Sequence, residues 1–188
     1  IMNLFSSFIS LMKSNGKSFN EIMTTITESG QPKDFCNRSR FFIYKLVKPL
    51  YEEYQNSLKE KGQMDFTDLI LHAADLCNSG SYETPYKYIL VDEFQDTNDI
   101  QFDLVKLLVG KNNNLFVVGD PDQTIYTWRG ANLKIIMDFE RYFPNAQTIV
   151  LDENYRSKEK ILNLANALIK NNKKRVHKDL VTNNGEGE

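Results

Sequence analysis

Tyr88-Ile89-Leu90-Val91-Asp92-Glu93-Phe94-Gln95-Asp96 is the stretch on which the fold class turns. Four apolar residues run without alternation and then give way to acids. An unbroken apolar run of this length is expected of a strand buried on both faces of a sheet. The pattern recurs downstream: Leu115-Phe116-Val117-Val118 runs into Gly119-Asp120-Pro121-Asp122-Gln123, and Thr148-Ile149-Val150-Leu151 runs into Asp152-Glu153-Asn154-Tyr155-Arg156. Between the first two runs a helix is predicted over about Asp99 to Val109, closed by Gly110. A second is predicted from about Asn132 to Tyr142, ahead of Pro144, and a third from about Ser157 to Lys170. Strands separated by single helices at roughly thirty-residue spacing predict βαβ units and a parallel sheet.

Upstream, the period changes. Leu4, Phe5, Phe8, Leu11 and Met12 recur at helical spacing, as do Tyr44, Leu46, Val47, Leu50, Tyr51, Tyr54 and Leu58. Pro49 is expected to kink or break that second helix. Asn15-Gly16 and Gly30-Gln31-Pro32 read as turns. Asp65 is expected to N-cap a helix over Phe66 to Cys77. The predicted fold class is therefore α/β with an all-helical N-terminal part.

Composition narrows the functional classes. A chain of 188 residues with 41% hydrophobic content is long enough to bury a core, and 26% charged residues argues against disorder. No apolar run reaches the roughly 18–20 residues of a membrane span. The start, IMNLFSSFISLMK, has neither the basic segment nor the small-residue cleavage site of a signal peptide, and Ile before the first Met is expected of a stretch cut from something longer. Cys36 and Cys77 form no CxxC pair, which fits a reducing cytosol and no zinc site. With a net charge of −2, any nucleic-acid contact is expected in a local groove. The basic stretch Lys170 to Lys178 either contributes to such a groove or forms a solvated helix end.

Ligands of open parallel sheets bind beyond the carboxyl ends of the strands, where the three polar strings fall. Adjacent acids after a buried strand have a defined use there. Asp92 is suited to hold Mg²⁺, a hard cation that prefers oxygen ligands. Glu93, one residue further out, is suited to polarise a water for in-line attack on a γ-phosphate. The competing reading is that these acids merely end a strand and open a turn.

The longer strings carry a resemblance. VDEFQDTN (Val91 to Asn98), VVGDPDQTIYTWRGA (Val117 to Ala131) and LDENYRS (Leu151 to Ser157) together resemble motifs II, III and IV of UvrD/Rep/PcrA-type superfamily 1 DNA helicases. The resemblance is strong over about residues 64 to 170. It extends more weakly upstream, where FISLMK looks like the start of the family's helical 1B insertion and MDFTDLI like the helix before motif II. It implies a partial RecA-like sheet, with residues 1–62 as the 1B-type insertion, 63–152 as the C-terminal part of motor domain 1A, and 153–188 as the start of 2A. It also implies roles: Asp92 for Mg²⁺, Glu93 for the attacking water, Gln123 as γ-phosphate sensor, and Arg156 as an arginine finger on that phosphate. Tyr126, Trp128 and Arg129 would lie along single-stranded DNA, Trp128 offering a stacking face to a base. Gln95 and Asp96 are expected to organise the turn, Asn154 and Tyr155 to be structural.

The family's glycine-rich phosphate loop, GxxxxGK[ST], is not found in the sequence. Gly16-Lys17-Ser18 is the one GK[ST] string, but Leu11 stands five residues before Gly16, and a helix is predicted ahead of it. The expectation is an excerpt of an ATP- and Mg²⁺-dependent 3′–5′ translocase acting on single-stranded DNA and its junctions with duplex, in a bacterial-type cytosol, inactive alone. The exposed edge of a partial sheet is expected to favour self-association. Two alternatives stay open: a non-catalytic module binding single-stranded DNA or a protein, and a Mg²⁺-dependent phosphohydrolase using Asp92 and Asp120.

Overall fold

The computed structural model describes residues 2–173 and 175–187. The N-terminal part is helical, as its spacing predicts: α1 (Met2–Ser14), α2 (Phe19–Glu28), α3 (Lys33–Phe41), a π-helical stretch Phe42–Val47, α4 (Lys48–Glu60) and α5 (Phe66–Asn78). Pro49 lies in the first turn of α4. The π stretch immediately precedes it, so the helix passes the proline through a widened turn instead of breaking. Ser18 caps α2: its hydroxyl accepts from the Glu21 N–H at 3.2 Å while the Glu21 carboxylate accepts from the Ser18 N–H at 2.8 Å. The Gly16-Lys17-Ser18 string therefore opens a helix of the N-terminal part, and a helix, α1, precedes it.

Ile9, Met12 and Val47 form the buried centre of this part, with Phe5, Phe8, Phe19, Ile22 and Tyr51 packed around them. One turn on from Ile9, the amphipathic stripe of α1 delivers a cation into the protein. The Lys13 side chain is 3% exposed, and its ammonium donates to Asp65 at 2.6 Å and Asp68 at 2.5 Å. These two acids also make the capping box that starts α5, as the sequence predicts for Asp65. Burial pulls the Lys13 pKa down, but hydrogen bonds to both carboxylates outweigh that and hold it above its ordinary value. Burial pushes the Asp65 carboxyl up, but hydrogen bonds from Lys13, the Asp68 N–H and Tyr54, with the Lys13 charge, hold its pKa below the ordinary value.

The second part carries the sheet. Strand β1 (Ile89–Val91) pairs in parallel with β2 (Leu115–Val117), Ile89 opposite Leu115. The crossover is α6 (Asp99–Val109), capped at Asn98 and ended at Gly110, matching the predicted span. Phe94, Phe102 and Ile135 fill the space under the sheet, with Val91, Val117, Ile136, Phe139 and Phe143 around them. Phe94 meets Phe102 and Phe139 edge-on, at centroid separations of 6.1 and 5.6 Å. Three short or single helices complete the order: α7 (Leu133–Met137), α8 (Phe139–Tyr142) and α9 (Glu159–Ile169). The helix predicted over Asn132 to Tyr142 is thus divided at Asp138.

Two expectations about the sheet are overturned. Leu90 and Phe116 are 71% and 60% exposed, so helices cover one face of the sheet and not both. Thr148 to Leu151 is no strand, and Ile149 and Leu151 stand 78% and 77% exposed. Among the described residues no neighbouring strand offers that stretch hydrogen-bond partners, and without a ladder an apolar run has nothing to make it a strand. Pairing occurs instead just downstream, as an isolated parallel bridge between Glu153 and Val181. Among the described residues no helix is long and apolar enough to cross a membrane.

Candidate functional site

The site assembles where β1 and β2 end. Beyond Val91 the ladder continues: Val118 N–H donates to Val91 O and Phe94 N–H to Val118 O, each at 2.9 Å. Between those rungs Asp92 and Glu93 are left outside the sheet and exposed. Phe94, 1% exposed, anchors the turn from below. The turn forces Glu93 into the left-handed region, φ 50°, ψ 40°. For a residue with a Cβ this conformation costs about 1–2 kcal/mol, and it is held here by the anchor and the rungs on either side. Asp92 Oδ1 accepts from the Glu93 N–H at 2.9 Å.

Gln95 is 3% exposed and lies between the two strand ends. Its amide nitrogen donates to Glu93 Oε2 at 2.8 Å, and its amide oxygen accepts from the Asp120 N–H at 3.0 Å. The fit leaves no room for a side chain at Gly119, where a Cβ would stand 2.7 Å from Gln95 Oε1 and 2.9 Å from Ile136 Cδ1. Asp120 then starts a 3₁₀ turn, Pro121–Gln123, and its Oδ2 accepts from the Gln123 amide at 2.9 Å. Glu93, Gln95, Asp120 and Gln123 thus form one hydrogen-bonded chain across the strand ends.

The C-terminal segment closes on the same turn. Lys178 pairs with Asp120 at 2.6 Å, and Arg175 with Asp122 at 3.3 Å, the latter two side chains only 4% and 9% exposed. Burial pushes the Asp120 carboxyl up, but hydrogen bonds from Lys178 and Gln123 and the Lys178 charge hold its pKa below the ordinary value. Part of the basic stretch is a solvated helix end: Lys170 closes α9 exposed, and Lys173 beyond it is exposed too. Two of its cations are taken up by the acids after β2. Lys174, in the same stretch, lies outside the described residues.

Tyr126, Trp128 and Arg129 occupy the next turn. The Arg129 guanidinium lies 4.6 Å from the Trp128 ring centre and 5.2 Å from that of Tyr126, with Trp128 64% exposed. The turn closes at Gly130, φ 94°, where a Cβ would meet that of Ser14 at 3.0 Å. The close approach seats the end of α1 against the aromatic turn. Asn132 anchors the far side, its N–H donating to Thr97 O at 3.0 Å and its amide to Asp99 at 2.7 Å.

Of the residues singled out by sequence, the structure brings Asp92, Glu93 and Gln123 to the adjoining ends of β1 and β2, and groups Tyr126, Trp128 and Arg129. Arg156 is exposed, and no side-chain hydrogen bond or ion pair among the described residues joins it to the cluster. Sequence reading missed the reach of Gln95 and the partners of Arg175 and Lys178. Gln95 stands two residues past Glu93, but neither its burial nor its reach to Asp120 is written in residue type. Nothing local signalled the others, which meet acids more than fifty residues away.

A divalent cation needs oxygen donors. Among the described residues no group of three or more His, Cys, Asp or Glu side chains gathers as a metal cage. The exposed Asp92 carboxylate fits the other mode, in which Mg²⁺ takes one or two carboxylates together with waters and substrate phosphates.

Comparison with known proteins supplies the remaining observations. The UvrD/REP helicase N-terminal domain matches residues 3–144. The ATP-dependent DNA helicase PcrA of Leuconostoc citreum is 45% identical over 163 residues, 84% of this chain and 22% of that protein. A probable DNA helicase II homolog of Mycoplasma capricolum is 49% identical over 144 residues, 74% of this chain and 20% of that protein. PcrA of Staphylococcus aureus is 44% identical over 162 residues, 84% and 22%. The chain spans about a fifth of the length of these relatives.

Proposed function

The chain belongs to the UvrD/REP helicase family, and from that membership we propose that it is the part of an ATP-dependent DNA helicase that bears the water-activating carboxylate, a γ-phosphate sensor and a single-strand stacking surface. The observation that carries the reading is the alignment of two chemical ends. Glu93 leaves β1 exposed and strained, and Gln123 reaches the same hydrogen-bonded chain from the end of β2. Glu93 orients and deprotonates a water, Gln123 meets the γ-phosphate, and Asp92 holds Mg²⁺, which when bound neutralises phosphate charge. Arg156 is assigned to the same phosphate as an arginine finger. Tyr126, Trp128 and Arg129 take single-stranded DNA, since an exposed indole face stacks on any base with roughly 1–3 kcal/mol.

In this reading residues 1–62 are a 1B-type insertion, 63–152 belong to a RecA-like motor domain 1A, and 153–188 open domain 2A. The setting is the cytoplasm, the movement 3′ to 5′, and the substrate single-stranded DNA and its junctions with duplex. The uncovered sheet face, with Leu90 and Phe116 outward, favours self-association of the 188 residues on their own.

The test is DNA-stimulated hydrolysis of ATP with Mg²⁺ by the full-length protein and its Glu93→Gln variant. Loss of a general base is expected to lower kcat by roughly 10²–10⁴-fold. A variant that turns over at the wild-type rate removes Glu93 from the chemistry. The 188 residues alone are expected to give no turnover above the variant.

A further inference from the structure

We infer that Gln95 is a positioning residue for the hydrolytic step, holding the Glu93 carboxylate from one end of its amide and the γ-phosphate-sensing turn from the other. The inference rests on the reading of Glu93 as the water-activating group. The orientation of the amide follows from its partners. The Asp120 backbone N–H can only donate, so the Gln95 oxygen must face it, and the nitrogen is left to donate to Glu93. Each end therefore has one chemical sense, and the amide cannot flip without breaking both bonds.

Three features make this a device for Glu93 in particular. The Glu93 backbone sits in the left-handed region, where several rotamers of an exposed carboxylate would otherwise be open. The Gln95 amide is buried, at 3% exposure, so its bond to Glu93 competes little with water. Gly119 leaves the space the amide occupies, and any larger residue there would strike its oxygen. At the other end, the turn begun by Asp120 carries Gln123, tied to Asp120 Oδ2 at 2.9 Å. One side chain thus sets the spacing between the group that activates water and the group that meets phosphate.

Two substitutions separate positioning from simple bracing. Gln95→Glu keeps an acceptor for the Asp120 N–H and, when ionised, replaces the donor to Glu93 with a like charge. Gln95→Met keeps the shape and loses both. DNA-stimulated ATP hydrolysis by the full-length protein is measured with Mg²⁺ and oligo(dT), beside Glu93→Gln. Both Gln95 variants are expected to lose kcat by roughly 10–100-fold, as misplaced catalytic groups do, with KM for ATP within about threefold of wild type. Gln95→Glu at the wild-type kcat, with Gln95→Met impaired, marks a brace between loops and overturns the inference. If Gln95→Glu does not fold, Gln95→Met decides: wild-type kcat overturns the inference and a kcat loss at constant KM upholds it. An active Glu93→Gln variant sinks the parent reading instead, and is told apart because it does so whatever the Gln95 variants do.

Discussion

Ile89–Val91 and Thr148–Leu151 are near twins as sequences, each an apolar run that ends in acids, yet one is a strand and the other is not. The first meets Leu115–Val117 across a parallel ladder and lies over Phe94, Phe102 and Ile135. The second pairs with no strand among the described residues, is held only at Thr148, whose hydroxyl donates to Glu140 at 2.6 Å, and leaves Ile149 and Leu151 largely in solvent. Apolar content and β-branching are shared, so neither decides. What decides is whether a partner backbone is present and whether an aromatic core lies beneath.

The contrast is open to direct attack. The largest effect is expected at its keystone: Phe94→Ala should destabilise the 188-residue chain by about 3–5 kcal/mol, as a fully buried phenylalanine does, read from urea unfolding. A loss below about 1 kcal/mol would mean that the aromatic core is not what holds the strand pair. Next, Lys13→Met leaves Asp65 and Asp68 facing each other without their cation, and about 3 kcal/mol should be lost. That loss belongs to the helical part, so the substitution should leave the β1–β2 amides protected in hydrogen exchange longer than those of α1.

Acid should act on both parts together. Asp65 and Asp120 have pKa values below the unfolded value of about 3.9. Their contribution is therefore present above that value and lost as pH falls through the lower, folded one. Lys13 runs the other way: its folded pKa lies above the unfolded value of about 10.4, so its contribution is complete below that and lost as pH rises past the folded one. Urea midpoints should accordingly drop below about pH 4, and Lys178→Met should soften the drop by releasing Asp120. An unchanged acid limb in that variant would detach Asp120 from Lys178. Smallest of all, Ile149→Lys should change stability by no more than about 0.5 kcal/mol, as exposed sites do. A cost of 2 kcal/mol there would put the stretch back among packed strands.

The parallel pair, its crossover helix and the capped start of α5 were legible because each is written locally, in an apolar run, an Asn or Asp cap and a closing Gly. The missing third strand was not, because an unpaired edge has no signature in the run itself. The exposure of Leu90 and Phe116 was hidden for the same reason: a run of four apolar residues looks alike whether one face is covered or two. At the site, the paired acids and the aromatic turn stood out by residue type. The links among them did not. Gln95 reaches Asp120 and Lys178 reaches the same turn across long stretches of chain, and only the fold brings them together.

The parallel register has a consequence in time. Ile89 waits for Leu115, 26 residues later, and Phe94 waits still longer for Ile135. At a synthesis rate of roughly 5–20 residues per second, the first strand is made about one to five seconds before its partner exists. Through that interval a newly made chain exposes Tyr88 to Val91 with no ladder to join. The stretch needs cover until residues 115–117 have followed it out of the ribosome, and slowing that emergence should raise the fraction of protein that aggregates.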